Sequence, residues 1–125
     1  MSGPESADNP TGASILDLLQ PDVIEQADGR AVFCFMARPE WTIPSGQVQG
    51  GIVAAMLDMT MAFSADDLST VSLHVDYLRP AFGPELTVTA TVTRRGRRVI
   101  FAEAEMVDQE GRLIARGRQN AVPID

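Results

Sequence analysis

The pattern of apolar and polar positions divides the chain into one long helix and a series of short strands. Residues 50–65, GGIVAAMLDMTMAFSA, are apolar at nearly every position. The helix they predict must be surrounded by protein rather than lie on a surface. Residues 14–20 carry Ile15, Leu18 and Leu19 at helical spacing behind a capping Ser14, and Pro21 stops that short helix. Residues 22–27 and 30–38 read as strands joined through the Asp28-Gly29 turn signal. Two prolines and a glycine make 39–49 an irregular loop. Asp66-Asp67 is expected to end the long helix, and strand patterns dominate after it. Val71, Leu73, Val75 and Tyr77 alternate with polar residues, and Leu86, Val88, Ala90 and Val92 alternate with threonines. Arg95-Gly96 is expected to turn into a strand at 97–107, and Glu110-Gly111 into a strand at 112–120.

These elements predict an α+β architecture: a curved antiparallel sheet of five or six strands wrapped around one long central helix. A sheet covers an all-apolar helix only by curling about it, and one flank then needs a second subunit. A homodimer is expected, with a dimer of dimers open.

Composition narrows the function. A chain of 125 residues has room for one core, so 13–125 reads as one domain. Residues 1–12 are rich in Ser, Pro and Gly, with no basic start and no apolar run, and read as a mobile arm rather than a signal. The single cysteine, Cys34, excludes an internal disulfide framework, fits a reducing compartment and reads as a core residue. The longest nearly uncharged stretch is shorter than the ~20 residues of a spanning helix and carries Asp58 in its middle. A cytoplasmic protein without a membrane partner is expected. The net charge of −7 argues against nucleic acid as a partner. All ten basic residues are arginines, and seven lie late in the chain, from Arg94 to Arg118. Local arginine clusters in an acidic chain suit a small anionic ligand.

Asp58 stands out chemically. Its neighbours at three and four residues, Ala54, Ala55, Met61 and Ala62, offer it no partner. An ionised carboxylate is rarely buried alone, so it faces a polar cavity or meets a partner from elsewhere. Functional carboxylates meet these conditions, and so does a structural Asp bonded to backbone or hydroxyls. Gly50-Gly51 opens the same helix, where bare amides and the helix dipole would stabilise a carbonyl oxygen gaining negative charge. The two features lie eight residues, or about 12 Å, apart on one helix. One carbonyl cannot touch both, so if both act on one substrate they come from two antiparallel helices across a two-fold axis. Thr70 carries a hydroxyl that could orient water or the carboxylate. His74 is the only histidine, and neither a metal site nor a nucleophilic triad is legible. Met56, Met59 and Met61 read as packing, adaptable enough to line an acyl pocket.

Three segments in order carry a family resemblance: GQVQGG followed by IVAAMLDMTMAFSA, then STVSLHVDYLRP, then GRLIARG. Together they resemble the hotdog-fold acyl-CoA thioesterases, closest to the phenylacetate-pathway branch, over residues 45–118. The resemblance implies that Gly50 supplies an oxyanion-hole amide and Asp58 acts as nucleophile or general base. It implies that Thr70 assists the attacking water; Gln49, whose amide can donate a hydrogen bond, and Gly51 are expected to bind substrate. It also implies that basic residues such as Arg94, Arg97 and Arg116 or Arg118 contact the coenzyme A phosphates, for which the guanidinium fork is suited. Coenzyme A would enter as part of the substrate, and neither cofactor nor metal is called for. Two positions depart from the family pattern. Gln49 stands where a His often precedes the glycines, and Ile43 where an Asn or Gln is common. These departures motivate the alternative of a hotdog module that binds acyl-CoA without turning it over.

Overall fold

The computed structural model describes residues 13–65 and 68–124; the expected arm at 1–12 and the helix stop at Asp66-Asp67 lie outside the described residues. Helix α1 (Ile15–Leu19) starts at a Ser14 capping box in which Asp17 reaches back to the Ser14 N–H. Strands β1 (Asp22–Ala27) and β2 (Arg30–Met36) form the expected hairpin, with Gly29 in the left-handed region. β2 ends two residues short of expectation. The loop that follows holds a short 3-10 helix, Pro39–Trp41, and a bridge between Thr42 and Val48. Helix α2 (Gly50–Phe63) is followed by β3 (Leu68–Tyr77), β4 (Glu85–Arg95), β5 (Ile100–Asp108) and β6 (Leu113–Pro123). β5 begins at Ile100, not at residue 97, because the Gly96 N–H and the Val99 carbonyl close a turn across those residues.

The six strands form one antiparallel sheet in the order β1-β2-β4-β5-β6-β3, curved around α2. This is the hotdog architecture. Phe33, Phe35, Leu86, Val88 and Met106 fill the concave face and pack on Met56, Leu57 and Met61 of the helix. Cys34 does not join that core: strand alternation places it half-buried on the opposite face. Among the described residues no helix is long and apolar enough to cross a membrane.

The β5–β6 turn is closed by a buried carboxylate. Asp108 accepts the Glu110 N–H at 2.9 Å, the Arg112 N–H at 3.0 Å and the Arg112 Nε at 2.9 Å. Burial acts to raise the Asp108 carboxyl, but the hydrogen bonds from Arg112 and Glu110 and the Arg112 charge together outweigh it. They hold the carboxyl below its ordinary value.

The sheet does not cover the whole helix. Val53, Met56, Leu57, Thr60 and Met61 are buried, whereas Gly51, Ala54, Ala55, Asp58 and Ala62 keep some exposure. The latter recur at three- and four-residue spacing and so form one stripe. The edge strand β3 lies open in the same way. Leu73 and Tyr77 share the helix-facing side with Gln119 and Ala115, their partners in register, yet are 38% and 52% exposed. The apolar alternation of β3 is present, but among the described residues nothing covers Leu73 and Tyr77.

Candidate active site

The backbone at the start of α2 is arranged around Gln49. Its side-chain Oε1 accepts the Ile52 N–H at 3.0 Å, and its carbonyl accepts the Ile52 and Val53 N–H groups. Among the described residues no acceptor reaches the N–H of Gly50 or Gly51, so two adjacent donors stand free at the positive end of the helix. A Cβ at Gly51 would lie 2.8 Å from Gln49 Oε1, so the side-chain cap and a glycine at 51 require each other. Capping engages only the amide oxygen of Gln49, and its NH2 group keeps its donors.

Tyr77 fixes the far side of this helix end. Its hydroxyl donates to the Gly50 carbonyl at 2.6 Å, and a Cβ at Gly50 would lie 3.5 Å from its ring. A cleft of about 280 Å3 opens here, lined by Gln47, Gly50, Val53, Tyr77, Arg79 and Ile114. Asp58 is not among its lining residues. Tyr77 and Arg79 are additions that the sequence does not single out: one reads as strand filling, the other as part of a strand break.

Asp58 finds its partners on the strands below it. The Thr70 hydroxyl donates to Asp58 Oδ1 at 2.8 Å, and Gln119 Nε2 donates to the same oxygen at 2.7 Å. Gln119 Nε2 also reaches the Asp58 backbone carbonyl at 3.1 Å and Thr70 Oγ1 at 3.2 Å. Thr70 is the last paired residue of β3 before a bulge, and Gln119 lies on the helix-facing side of β6. Gln119 is hard to find in the sequence because it sits in the polar run Arg118-Gln119-Asn120. The signal that marks it is strand parity, since Ala115, Gly117 and Ala121 at the same parity are all buried.

The arginines separate into two groups. Arg94 and Arg97 lie at the β4–β5 hairpin, whose first β5 residue, Ile100, packs with Ala62, Ala65 and Leu68 at the C-terminal end of α2. Arg94 stacks over Phe101 at 5.7 Å. Arg116 and Arg118 alternate with the buried Ala115, Gly117 and Gln119, so they stand on the outer face of the sheet. There Arg116 pairs with Glu105 at 3.3 Å, and Arg118 lies in register between His74 and Glu103. The sheet separates them from Asp58. Among the described residues no cluster of His, Cys, Asp and Glu could hold a metal ion.

A carboxylate held by two donors, and free amides at a glycine-rich helix start, are the elements of acyl-transfer chemistry. The model of the thioesterase superfamily matches residues 46–115, which span α2, β3, β4, β5 and the start of β6. The chain belongs to the thioesterase superfamily. As a member it is a thioester hydrolase, and its architecture agrees with solved relatives. A structure of the E. coli PaaI protein from the phenylacetic acid degradation operon superposes with a TM-score of 0.85 at 22% identity, covering 96% of this chain and 91% of that one. In sequence, an esterase candidate of Saccharolobus solfataricus is 32% identical over 108 residues, covering 82% of this chain and 77% of that protein. The acyl-coenzyme A thioesterase PaaI of E. coli is 25% identical over 108 residues, covering 81% of this chain and 77% of that protein.

Proposed function

We propose that this thioesterase hydrolyses a small aryl- or acyl-CoA thioester to the free acid and coenzyme A, as a homodimer with two sites shared between subunits. The observation that carries the reading is the pairing of a fixed carboxylate with free amides too far away along the same helix. The Asp58 carboxylate is anchored by Thr70 and Gln119, and the free N–H groups of Gly50 and Gly51 lie about 12 Å along α2. Two antiparallel copies of α2 bring the Gly50 amide of one subunit opposite Asp58 of the other. The uncovered stripe of Gly51, Ala54, Ala55, Asp58 and Ala62 is small enough for close helix approach, and the exposed apolar side of β3 continues that surface.

In this arrangement the thioester carbonyl oxygen accepts the Gly50 N–H, and the oxyanion that forms is stabilised at the helix N-terminus. By one route Asp58 takes a proton from water as the water oxygen bonds to the carbonyl carbon. The tetrahedral intermediate then expels the thiolate, which leaves as the thiol with that proton. By the other, an Asp58 oxygen bonds to the carbonyl carbon and the thiolate leaves. Water then hydrolyses the mixed anhydride and regenerates the carboxylate. A single turnover in oxygen-18 water detects an anhydride that opens at its Asp58 carbon: label then appears in Asp58, which direct attack never labels. Arg94 and Arg97 lie by the hairpin whose Ile100 packs at the C-terminal end of α2, which supports a role for them in meeting coenzyme A phosphates. The substrate brings the coenzyme, so no cofactor is needed. The free cysteine and the acidic charge suit a cytoplasmic enzyme.

Subunit mixing tests the shared site. Gly50→Pro removes the N–H with the backbone kept, because proline is accepted at the first helical position and Gln49 before it is already extended (φ −60, ψ 139), and its Cβ stays at ordinary contact distance from Tyr77. Gly50→Pro and Asp58→Asn subunits should each be inactive alone. Mixed and reassorted, half the dimers are hybrids with one intact site each, which restores about one quarter of wild-type turnover. No recovery from verified hybrids would place both groups in one subunit and contradict the proposal.

A further inference from the structure

The hydrogen bonds beneath Asp58 distinguish its two oxygens. Oδ1 accepts from both Thr70 Oγ1 and Gln119 Nε2, while among the described residues no donor reaches Oδ2. We propose that Gln119 is a positioning residue which, together with Thr70, commits Oδ1 to the fold and leaves Oδ2 as the oxygen that meets water or the thioester. The inference rests on the hydrolase reading above and goes beyond it, assigning a residue and an atom.

The orientation of the amide follows from its surroundings. Its nitrogen faces the Asp58 carbonyl, the Asp58 carboxylate and the Thr70 hydroxyl. Turning it over would set a carbonyl against two oxygens that can only accept. Two N–H groups serve three acceptors, so Asp58 is tied through both its side chain and its backbone, and its rotamer is coupled to the helix. Thr70 is committed as well. Its one proton goes to Oδ1, and it receives the Gln119 N–H. It therefore has no proton to offer an attacking water, and its task is to hold the carboxylate.

The cost side of the arrangement points the same way. Gln119 is 1% exposed, and its Oε1 is buried with no hydrogen-bond partner. Orphaning a buried carbonyl is unfavourable, and a thioether of similar length would avoid it. The amide is kept for what its nitrogen does, which is to hold Asp58 and Thr70. Oδ2, by contrast, belongs to a side chain on the stripe of α2 that the sheet leaves uncovered, where the dimer places the facing Gly50.

The test compares Gln119→Met and Gln119→Glu with wild type by thiol release, with melting temperature measured alongside. Gln119→Met exchanges the orphaned carbonyl for the lost hydrogen bonds and is expected to remain folded at the assay temperature, yet lose roughly tenfold to a hundredfold in kcat, the scale of a misplaced catalytic group, with KM nearly unchanged. Gln119→Glu keeps the shape and can donate only when protonated. Its kcat should approach wild type at acid pH and fall as the introduced carboxyl ionises beside Asp58, a limb the wild-type profile lacks. Thr70→Val combined with Gln119→Met should cost less than the product of the single effects, because the two share one task. Wild-type kcat in Gln119→Met, or a Gln119→Glu profile parallel to wild type, would overturn the assignment. If the wild type released no thiol from any thioester, the hydrolase reading would fail on its own. Crystal structures of wild type and Gln119→Met would then decide the anchoring: a carboxylate that is single in the first and displaced or split in the second supports it, and an unmoved carboxylate overturns it.

Discussion

Gly117 sets the distance between the sheet and helix α2. It faces α2 from β6, two residues before Gln119, and a Cβ there would meet Met61 Cε at 3.1 Å, Leu57 Cβ at 3.5 Å and Leu57 Cδ1 at 3.6 Å. The first contact is tight, but it is with the end of a flexible side chain that can retreat by a few tenths of an ångström. In Gly117→Ala that strain is offset by about 0.8 kcal/mol for the buried methyl and about 0.4–1 kcal/mol from the stiffer unfolded chain. Stability should stay within about 1 kcal/mol of wild type. Gly117→Val adds two carbons beyond the Cβ, and Leu57, attached close to the helix backbone, cannot retreat in the same way. The helix must rise, at the roughly 1–3 kcal/mol typical of overpacking. At about 2–8 °C per kcal/mol the melting temperature should fall by several degrees or more. Lifting α2 by half an ångström also stretches the 2.7 Å bond from Gln119 to Asp58 toward the limit of a good hydrogen bond. Thermal melts, with thiol release assayed well below the transition, check the reasoning. The valine variant should lose turnover even where it is fully folded, and the alanine variant should not. Equal losses in both, or a valine variant with wild-type melting and turnover, would refute the packing argument.

Other sites give independent checks. Gln49→Ala removes the side-chain cap on Ile52 and should lower stability by about 1 kcal/mol in a denaturant titration; Gly51→Ala displaces the same cap but gains about as much helix propensity and should be nearly neutral. Asp108 has its carboxyl lowered from 3.8, so its contribution is complete above that pH and is lost as pH falls through the lower folded value. Asp108→Asn should therefore melt below wild type at neutral pH and show a shallower decline under acid conditions. Arg94→Ala and Arg97→Ala should raise KM for an acyl-CoA by roughly tenfold with kcat unchanged, an effect that shrinks with added salt.

Much of the fold is legible in the sequence because local signals agree there. The all-apolar run of α2, the Asp28-Gly29 turn and the alternation of Leu86, Val88 and Ala90 each specify one element, and tertiary packing agrees with them. Element ends are less legible: β2 stops at Met36 and β5 waits until Ile100, because strand ends are set by which neighbour remains to pair with. Asp58 and the glycine pair announce themselves by contrast with an apolar helix. Gln119, Tyr77 and Arg79 do not, because each is an ordinary residue in its own strand or turn. Their roles arise only when the sheet curls and brings residue 119 to residue 58, and residue 77 to residue 50. Arg116 and Arg118, which the resemblance assigns to coenzyme A phosphates, lie on the outer face of the sheet, where Arg116 pairs with Glu105 and Arg118 stands in register with Glu103.

The central claim is that Asp58 carries out thioester hydrolysis, and its most direct test is thiol release from a panel of aryl- and alkyl-CoA thioesters by wild type and Asp58→Asn. The amide variant keeps an acceptor oxygen for Thr70 and Gln119, so it should remain folded and dimeric. Turnover of at least one thioester by wild type, reduced about 10²- to 10⁴-fold in Asp58→Asn, is the predicted result. Turnover that survives the substitution, or a folded wild-type dimer that binds acyl-CoA and releases no thiol from any member of the panel, would contradict it.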